Sequence, residues 1–285
     1  NLDGLVSEGE PRPTECVPPN GTSLPPEDGM NGIDNVFGAT VYPIVDLALP
    51  NFEDNARAGQ LSGIGTFVIR VFGWNGTPND PRVEVVLTQA AGGTSAADPS
   101  DLIFDGDANL TPVGGSPPPG PAWMGDDAFF GRDDNFLMGN ESQPLIRDDN
   151  AYVTGNQLVV RLPDRVEIVF SDRENGIKVK LTDATAVGTF SEDFTRLDPV
   201  IVAGRWSIID LLDTANNIGV CPDDPEFDLL VNQLNTVADV RATAGSGGEG
   251  VECDAVSMGV SFQGYRARIA AATMGQPVPD ACAAE

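Results

Sequence analysis

Three oxygen-bearing side chains at alternating positions form the clearest set of potential metal ligands in the chain. Asp105, Asp107 and Asn109 are separated by the small residues Gly106 and Ala108. A turn through such a segment can direct all three side-chain oxygens inward, and Ca²⁺ prefers oxygen ligands. The spacing therefore predicts a calcium site, without the glycine and glutamate that complete an EF-hand loop. The alternative is that these residues form a solvated turn of an acidic protein.

Two tryptophans lie in settings that are typical of carbohydrate sites. Trp123 is followed by Asp126 and Asp127, and Trp74 stands in the turn-forming stretch 73–81. An exposed indole ring can stack on the C–H face of a sugar while nearby carboxylates accept hydrogen bonds from its hydroxyls. These four residues are therefore predicted ligand-binding residues. The competing interpretation is that both aromatic side chains pin loops onto the core.

Composition excludes several function classes. The chain has no histidine, which excludes His-dependent catalytic triads and His-ligated zinc. Its formal net charge of −27 disfavours nucleic-acid backbones and anionic membrane surfaces as partners, because both would repel it. No pair among the many carboxylates is marked out as catalytic, so the sequence favours a non-enzymatic role. A carboxylate-dependent glycosidase is the enzymatic alternative.

The cysteines indicate an oxidising compartment. Cys16, Cys221, Cys253 and Cys282 are far apart, and none forms a C-x-x-C pair. This usage predicts two disulfides. We expect Cys221 to pair with Cys253, closing a local loop, and Cys16 to pair with Cys282, tying the termini together. Because the first residue is Asn1 rather than Met, we expect a mature secreted or outer-envelope chain from which a signal peptide has been removed.

The elements that must position these residues are mainly strands. Alternation of apolar and polar residues predicts strands at 64–72, 83–88, 158–162, 166–170, 177–181 and 253–262. The run from 158 to 181 predicts three antiparallel strands. An interrupted helical pattern covers 36–59, with Asp34 as the expected N-cap and Gly59 as the expected stop. A further amphipathic helix is expected to begin after Asp224.

Together these patterns predict a mainly β fold with peripheral helices, an antiparallel β-sandwich-like single domain tied by two disulfides. Residues 1–35 are expected to form a Pro-rich extended arm. Residues 36–285 are expected to form one β-rich domain with an Asp/Gly/Pro-rich insertion at 92–157. The favoured function is a non-enzymatic extracellular or envelope protein that binds or assembles, with calcium-ordered loops. The alternatives are a carbohydrate-binding module and a self-assembling surface subunit.

Two short stretches carry a resemblance to known sequences. Residues 32–38 read Gly-Ile-Asp-Asn-Val-Phe-Gly, and residues 253–259 read Cys-Asp-Ala-Val-Ser-Met-Gly. With Cys16 and Cys221, they resemble secreted proteins and lipoproteins of myxobacteria and their relatives, a group without an established activity. The resemblance implies export and structural cysteines, and it supplies no site residues.

Overall fold

The chain forms mainly β-structure, as the alternation of apolar and polar residues predicts. The computed structural model describes residues 2–6, 13–20, 25–29, 32–43, 51–99, 102–104, 110–112, 119–171, 176–275 and 281–282. The strands are β1 Phe67–Phe72, β2 Asp80–Thr94, β3 Leu102–Phe104, β4 Leu110–Pro112, β5 Ala128–Gly131, β6 Ile146–Thr154, β7 Gln157–Arg161, β8 Glu167–Ser171, β9 Gly176–Phe190, β10 Arg196–Ser207, β11 Ala255–Tyr265 and β12 Arg268–Ile269.

The helices are peripheral. The α-helices are α1 Phe52–Leu61, α2 Ile208–Asn217 and α3 Pro225–Val237. A π-helical turn covers Phe37–Val41, and 3₁₀ turns cover Asp133–Asn135 and Leu137–Gly139. As predicted, α3 follows Asp224 and buries one apolar face, with Leu230, Leu234 and Val237 turned inward. Within the described residues, none of the helices combines the length and the apolar character needed to cross a membrane.

The described strands pair almost entirely antiparallel. One ten-stranded sheet has the order β11-β10-β9-β7-β6-β2-β5-β12, with β1 added to β2 and β8 added to β9, while β3 and β4 form a separate hairpin. Only the contact between β5 and β12 in this sheet is parallel. The sheet folds over so that β1 meets β11, where the rings of Phe67 and Phe262 lie 5.5 Å apart. The predicted sandwich-like fold class is confirmed.

The strand register predicted for residues 158–181 is also confirmed, with one difference in pairing. Leu158, Ile168 and Val179 are buried, whereas Arg161 and Glu167 are exposed. However, β7 and β8 do not pair in chain order, since both pair with β9. This is possible because β9 is 15 residues long, so its first half binds β8 and its second half binds β7.

The insertion predicted at residues 92–157 contains regular structure. Strand β2 continues into it as far as Thr94, and β3 to β6 lie within it. Strands β5 and β6 both pair with β2. The four residues of β5, Ala-Phe-Phe-Gly, are all buried, so this strand lacks the alternation by which half-buried strands are recognised. Much of the insertion is therefore part of the sheet.

The N-cap predicted at Asp34 is wrong. The residue before the helical turn is Val36, and it is the side chain of Asn35 whose Oδ1 accepts a hydrogen bond from the backbone N–H of Gly38 at 3.0 Å. The carboxylate of Asp34 instead accepts hydrogen bonds from the backbone of Leu2 and Asp3. Asp34 therefore anchors the N-terminal residues rather than starting a helix.

The stop predicted at Gly59 is also wrong. Helix α1 continues to Leu61, and its turn ends at Gly63, which has a φ of +88°. A Cβ at Gly63 would lie 2.4 Å from the backbone nitrogen of Gly93 in β2. Glycine is required there both by the left-handed backbone and by the close approach of the sheet.

The predicted cysteine pairing is wrong, although all four cysteines do form disulfides. Cys16 pairs with Cys253 at a Cα–Cα distance of 5.1 Å, and Cys221 pairs with Cys282 at 5.5 Å. The two disulfides are consistent with an extracellular location. Sequence spacing could not determine the pairing because it depends on where the terminal segments dock.

The N-terminal arm reaches Cys253 by pairing with the segment before β11. Val17 forms a parallel bridge with Glu252. Its N–H donates to the carbonyl of Val251 at 2.8 Å, and its carbonyl accepts from the N–H of Cys253 at 2.7 Å. This backbone pairing places Cys16 beside Cys253. Cys282 pairs instead with Cys221, which lies in the loop after α2.

Candidate functional site

A cavity of about 540 Å³ lies between the facing parts of the folded sheet. Its volume falls within the ~300–1,000 Å³ of typical small-molecule sites. Strands β1, β2 and β8 to β11 supply most of its walls, and α1 contributes to its rim. Most wall residues are aliphatic or aromatic: Phe67, Ile69, Leu87, Leu162, Ile168, Val179, Leu181, Ala186, Val200, Val202, Met258, Val260 and Phe262. Thr66, Ser261 and Gln263 add polar side chains to the lining.

One wall is a row of side chains across three neighbouring strands. Val202 of β10 is the register partner of Ala186 in β9 and of Val260 in β11. Register partners in antiparallel strands point to the same face of the sheet, and all three residues line the cavity. The methyl group of Ala186 is the smallest of the three side chains, so a larger residue at this position would fill part of the space.

Helix α1 gives the rim its polar character. Glu53, Arg57 and Gln60 line the cavity together with Leu61. Their spacing of three and four residues places them on one face of the helix. The hydroxyl of Tyr42 donates a hydrogen bond to Oε2 of Glu53 at 3.0 Å. The site therefore combines an apolar interior with charged and amide groups at one edge.

Trp123 lies at this rim and also lines the cavity. Its indole Nε1–H donates to the carbonyl of Leu61 at 3.0 Å, which joins the loop before β5 to the end of α1. The ring centroid is 5.4 Å from that of Phe129 and 6.0 Å from that of Tyr265. Trp123 thus contributes ring surface to the cavity while its N–H holds two elements together.

Trp74 is not brought together with Trp123. Its ring stacks on Phe190 at a centroid distance of 4.4 Å and meets Phe194 edge-on at 5.1 Å. Its indole Nε1–H donates to the carbonyl of Thr77 at 3.0 Å. Because Phe190 covers one face of the indole, Trp74 attaches its turn to the end of β9.

The two predicted acidic ligands lie in the same loop as Trp123 but outside the cavity lining. Asp127 is buried, and its Oδ1 accepts a hydrogen bond from the backbone N–H of Ala122 at 2.8 Å. Asp126 is exposed, and its backbone carbonyl accepts from Nε of Arg268 at 2.9 Å. Asp127 therefore fixes the loop that carries Trp123. Carbohydrate binding by these residues stays a prediction.

The predicted calcium ligands, Asp105, Asp107 and Asn109, lie outside the described residues. Within the part of the chain that the structure describes, there is no group of three or more acidic or cysteine side chains that could hold a metal ion. Elsewhere, the carboxylate of Asp149 already forms an ion pair, since its Oδ1 lies 2.6 Å from Nε of Arg147. The calcium site stays a prediction.

Several titratable residues lie where the N-terminal segment meets β11. Oδ1 of Asp239 accepts a hydrogen bond from the backbone N–H of Ser257 at 2.8 Å. Burial raises the pKa of Asp239 to about 7, and it also raises the pKa of Asp34. These carboxyls hold backbone groups of the arm and of β11 in place, and they are not part of the cavity.

Sequence reasoning singled out Trp123, which lines the cavity, but it did not find the cavity or the other residues of its rim. A strand residue that faces a cavity shows the same alternation as one that faces a packed core, so residues such as Val179 and Leu181 were predicted only as inward-facing. A local signal was the small residue Ala186, which stands at an inward-facing position of β9 where a larger aliphatic residue would be expected. Comparison with protein-family models, curated proteins and solved structures gave no match.

Proposed function

We propose that the protein is a non-enzymatic binding protein of an extracytoplasmic compartment, and that it holds a small molecule with an apolar body in the cavity of its sheet. The observation that carries this proposal is the cavity of about 540 Å³ with walls of aliphatic and aromatic side chains. Native cores are packed closely and contain few spaces larger than a water molecule. A space of this size and lining is suited to an apolar ligand.

The expected affinity is compatible with such a role. A ligand that removes ~300 Å² of apolar surface from water gains roughly 7–8 kcal/mol. The loss of translational and rotational freedom on binding offsets part of this gain, so a dissociation constant on the order of micromolar is the tightest that this burial provides. The polar groups of α1 at the rim would then orient the ligand, because an apolar wall by itself provides little directional preference.

The two disulfides support an oxidising compartment for this function. Disulfides persist in secreted and periplasmic proteins and are rare in the cytosol, where thiols are kept reduced. The net charge of −27 would also maintain solubility of a protein that carries an apolar ligand. Export of the chain and its place at the cell surface are part of the proposal.

Carbohydrate binding receives less support from the geometry than an apolar ligand does. The indole N–H groups of both Trp74 and Trp123 are bound to backbone carbonyls of the chain itself. Phe190 covers one face of Trp74. A sugar platform needs an accessible ring with polar neighbours, whereas these rings pack against other aromatic residues.

A cavity-filling series tests the proposal with a neutral fluorescent probe, N-phenyl-1-naphthylamine. Ala186→Phe and Val202→Phe each place a ring in the cavity and should reduce probe binding by at least tenfold. Val187→Phe is the matched control, because Val187 is adjacent in β9 and pairs with the exposed Ile201 on the other face. It should bind the probe as the wild type does.

Thermal melts of all the variants establish that they are folded. The proposal fails if the wild type does not bind the probe. It also fails if folded Ala186→Phe and Val202→Phe proteins both bind the probe as well as the Val187→Phe control.

A further inference from the structure

We infer that the cavity takes a single-chain amphiphile with an anionic head group, a carboxylate or a phosphate, and that Arg57 binds this head at the rim. The inference rests on the proposed function and specifies the class of ligand. The chain of the amphiphile would occupy the apolar interior, and its head would lie beside helix α1.

One cationic side chain at the rim is available to an anion. Among the residues that the structure describes, Arg57 and Glu53 are the two charged residues that line the cavity. Glu53 is engaged by the hydroxyl of Tyr42 at 3.0 Å. Arg57 is exposed, and within the described residues it makes no ion pair or side-chain hydrogen bond. The cationic group is therefore available to a ligand, while the carboxylate already has a donor.

Gln60 adds a second set of donors on the same helix face. It lies three residues after Arg57 and lines the cavity, and residues at this spacing are neighbours on a helix surface. Gln60 is partly buried, and its side chain likewise has no hydrogen-bond partner among the described residues. A guanidinium fork beside an amide N–H₂ group matches the oxygens of a carboxylate or a phosphate.

The acidic surface does not prevent such binding. At physiological ionic strength the Debye length is about 8 Å, so exposed charges beyond this distance are largely screened. A head group in direct contact with Arg57 is therefore governed mainly by that contact. The acidic surface would instead slow the association of an anion at low salt. Added salt would screen this repulsion and raise the association rate.

The interior limits the ligand to one chain. The volume of about 540 Å³ lies in the lower half of the range for small-molecule sites. Phe67 and Phe262, whose rings are 5.5 Å apart, close the contact between β1 and β11. Among the described residues, the rim of this apolar compartment thus carries one cationic group, which is the arrangement that a single-chain anionic amphiphile requires.

The test compares four probes that share a dodecyl chain and differ in the head: dodecanoate, dodecyl phosphate, dodecanol and dodecylammonium. Each is titrated below its micellar concentration by calorimetry and by the fluorescence of Trp123, which lines the cavity. The variants are Arg57→Gln and the control Arg266→Gln, an exposed arginine that does not line the cavity.

We expect Arg57→Gln to weaken the binding of one or both anionic probes by about 10- to 100-fold, as for loss of a charge-assisted hydrogen bond. Dodecanol binding should change less than twofold in Arg57→Gln, and Arg266→Gln should match the wild type throughout. Whichever of dodecanoate and dodecyl phosphate loses more affinity in Arg57→Gln shows whether the head group of the ligand is a carboxylate or a phosphate.

Two outcomes overturn the inference and leave the cavity function intact. One is that dodecanol binds as tightly as the anionic probes and that Arg57→Gln affects none of them. The other is that dodecylammonium binds most tightly. If none of the four probes binds and the neutral fluorescent probe also fails, the proposed function itself is overturned.

Discussion

The guanidinium of Arg205 lies 2.6 Å from the carboxylate of Glu15, although the two residues are 190 positions apart in the chain. Both side chains are buried, with 2% and 8% of their surface exposed. The same guanidinium donates to the backbone carbonyls of Leu2 and Arg241. A single residue of β10 thus holds the N-terminal arm at two points and connects it to the segment before β11.

Loss of this ion pair should strongly destabilise the protein. Arg205→Met leaves the buried carboxylate of Glu15 without its partner, and removal of one member of a buried pair costs about 3–5 kcal/mol. Urea unfolding at neutral pH measures the loss. Replacing both residues, Arg205→Met with Glu15→Gln, should cost less than Arg205→Met alone, because no uncompensated charge remains. Equal unfolding midpoints for Arg205→Met and the wild type would contradict this role.

Asp239 should make stability fall as the pH rises. Its pKa is about 7 in the folded state and near 3.8 when unfolded, so the folded state holds an extra proton between these values. The stabilising effect is complete below about pH 4 and is lost as the pH approaches 7. Asp239→Asn stays neutral and can still accept the hydrogen bond from Ser257. It should therefore be more stable than the wild type at pH 8, by about 2–4 kcal/mol.

The measurement is the free energy of unfolding of both proteins from pH 4.5 to pH 8. Asp34, whose pKa is also raised by burial, contributes a slope of the same sign in both proteins. The difference between the two curves therefore reports Asp239 together with its electrostatic coupling to Asp34. Parallel curves would show that Asp239 does not bind the extra proton.

The two disulfides should contribute unequally to the stability of the folded protein. The residues of Cys16–Cys253 are separated by 237 positions, and those of Cys221–Cys282 by 61. In the chain-entropy model the longer loop gives about 1 kcal/mol more stabilisation. Cys16→Ser with Cys253→Ser should therefore lower the melting temperature more than Cys221→Ser with Cys282→Ser. Peptide mapping without reduction should recover Cys16 joined to Cys253, and recovery of Cys221 joined to Cys253 would refute the pairing.

Calcium should stabilise the protein if residues 105–109 bind it. A ligand that binds only the folded state raises the melting temperature by mass action. We expect 1–10 mM CaCl₂, as an order-of-magnitude range set by weak extracellular sites, to raise the melting temperature, and EDTA to reverse the increase. Asp107→Ala should remove the effect without unfolding the protein. If NaCl of equal ionic strength gives the same increase, the segment is a solvated turn.

The amino-acid sequence by itself determined several of the strands and their inward faces. Alternation across residues 158–181 correctly placed Leu158, Ile168 and Val179 inside, because burial of one face of a sheet is encoded in every second residue. The amphipathic helix α3 was recognised for the same local reason, and its proline at the first position follows the predicted N-cap Asp224. An even number of cysteines also sufficed to predict two disulfides.

Only the tertiary structure decided which distant segments meet. The pairing of Cys16 with Cys253 depends on the parallel bridge between Val17 and Glu252, and no local pattern encodes a contact at that separation. The cavity depends on the folding of the sheet that brings Phe67 to Phe262. Local propensities act over a few residues, whereas the closure of long loops is set by the sum of many contacts across the molecule. For this reason several elements could be predicted from local patterns, and the site that they enclose could not.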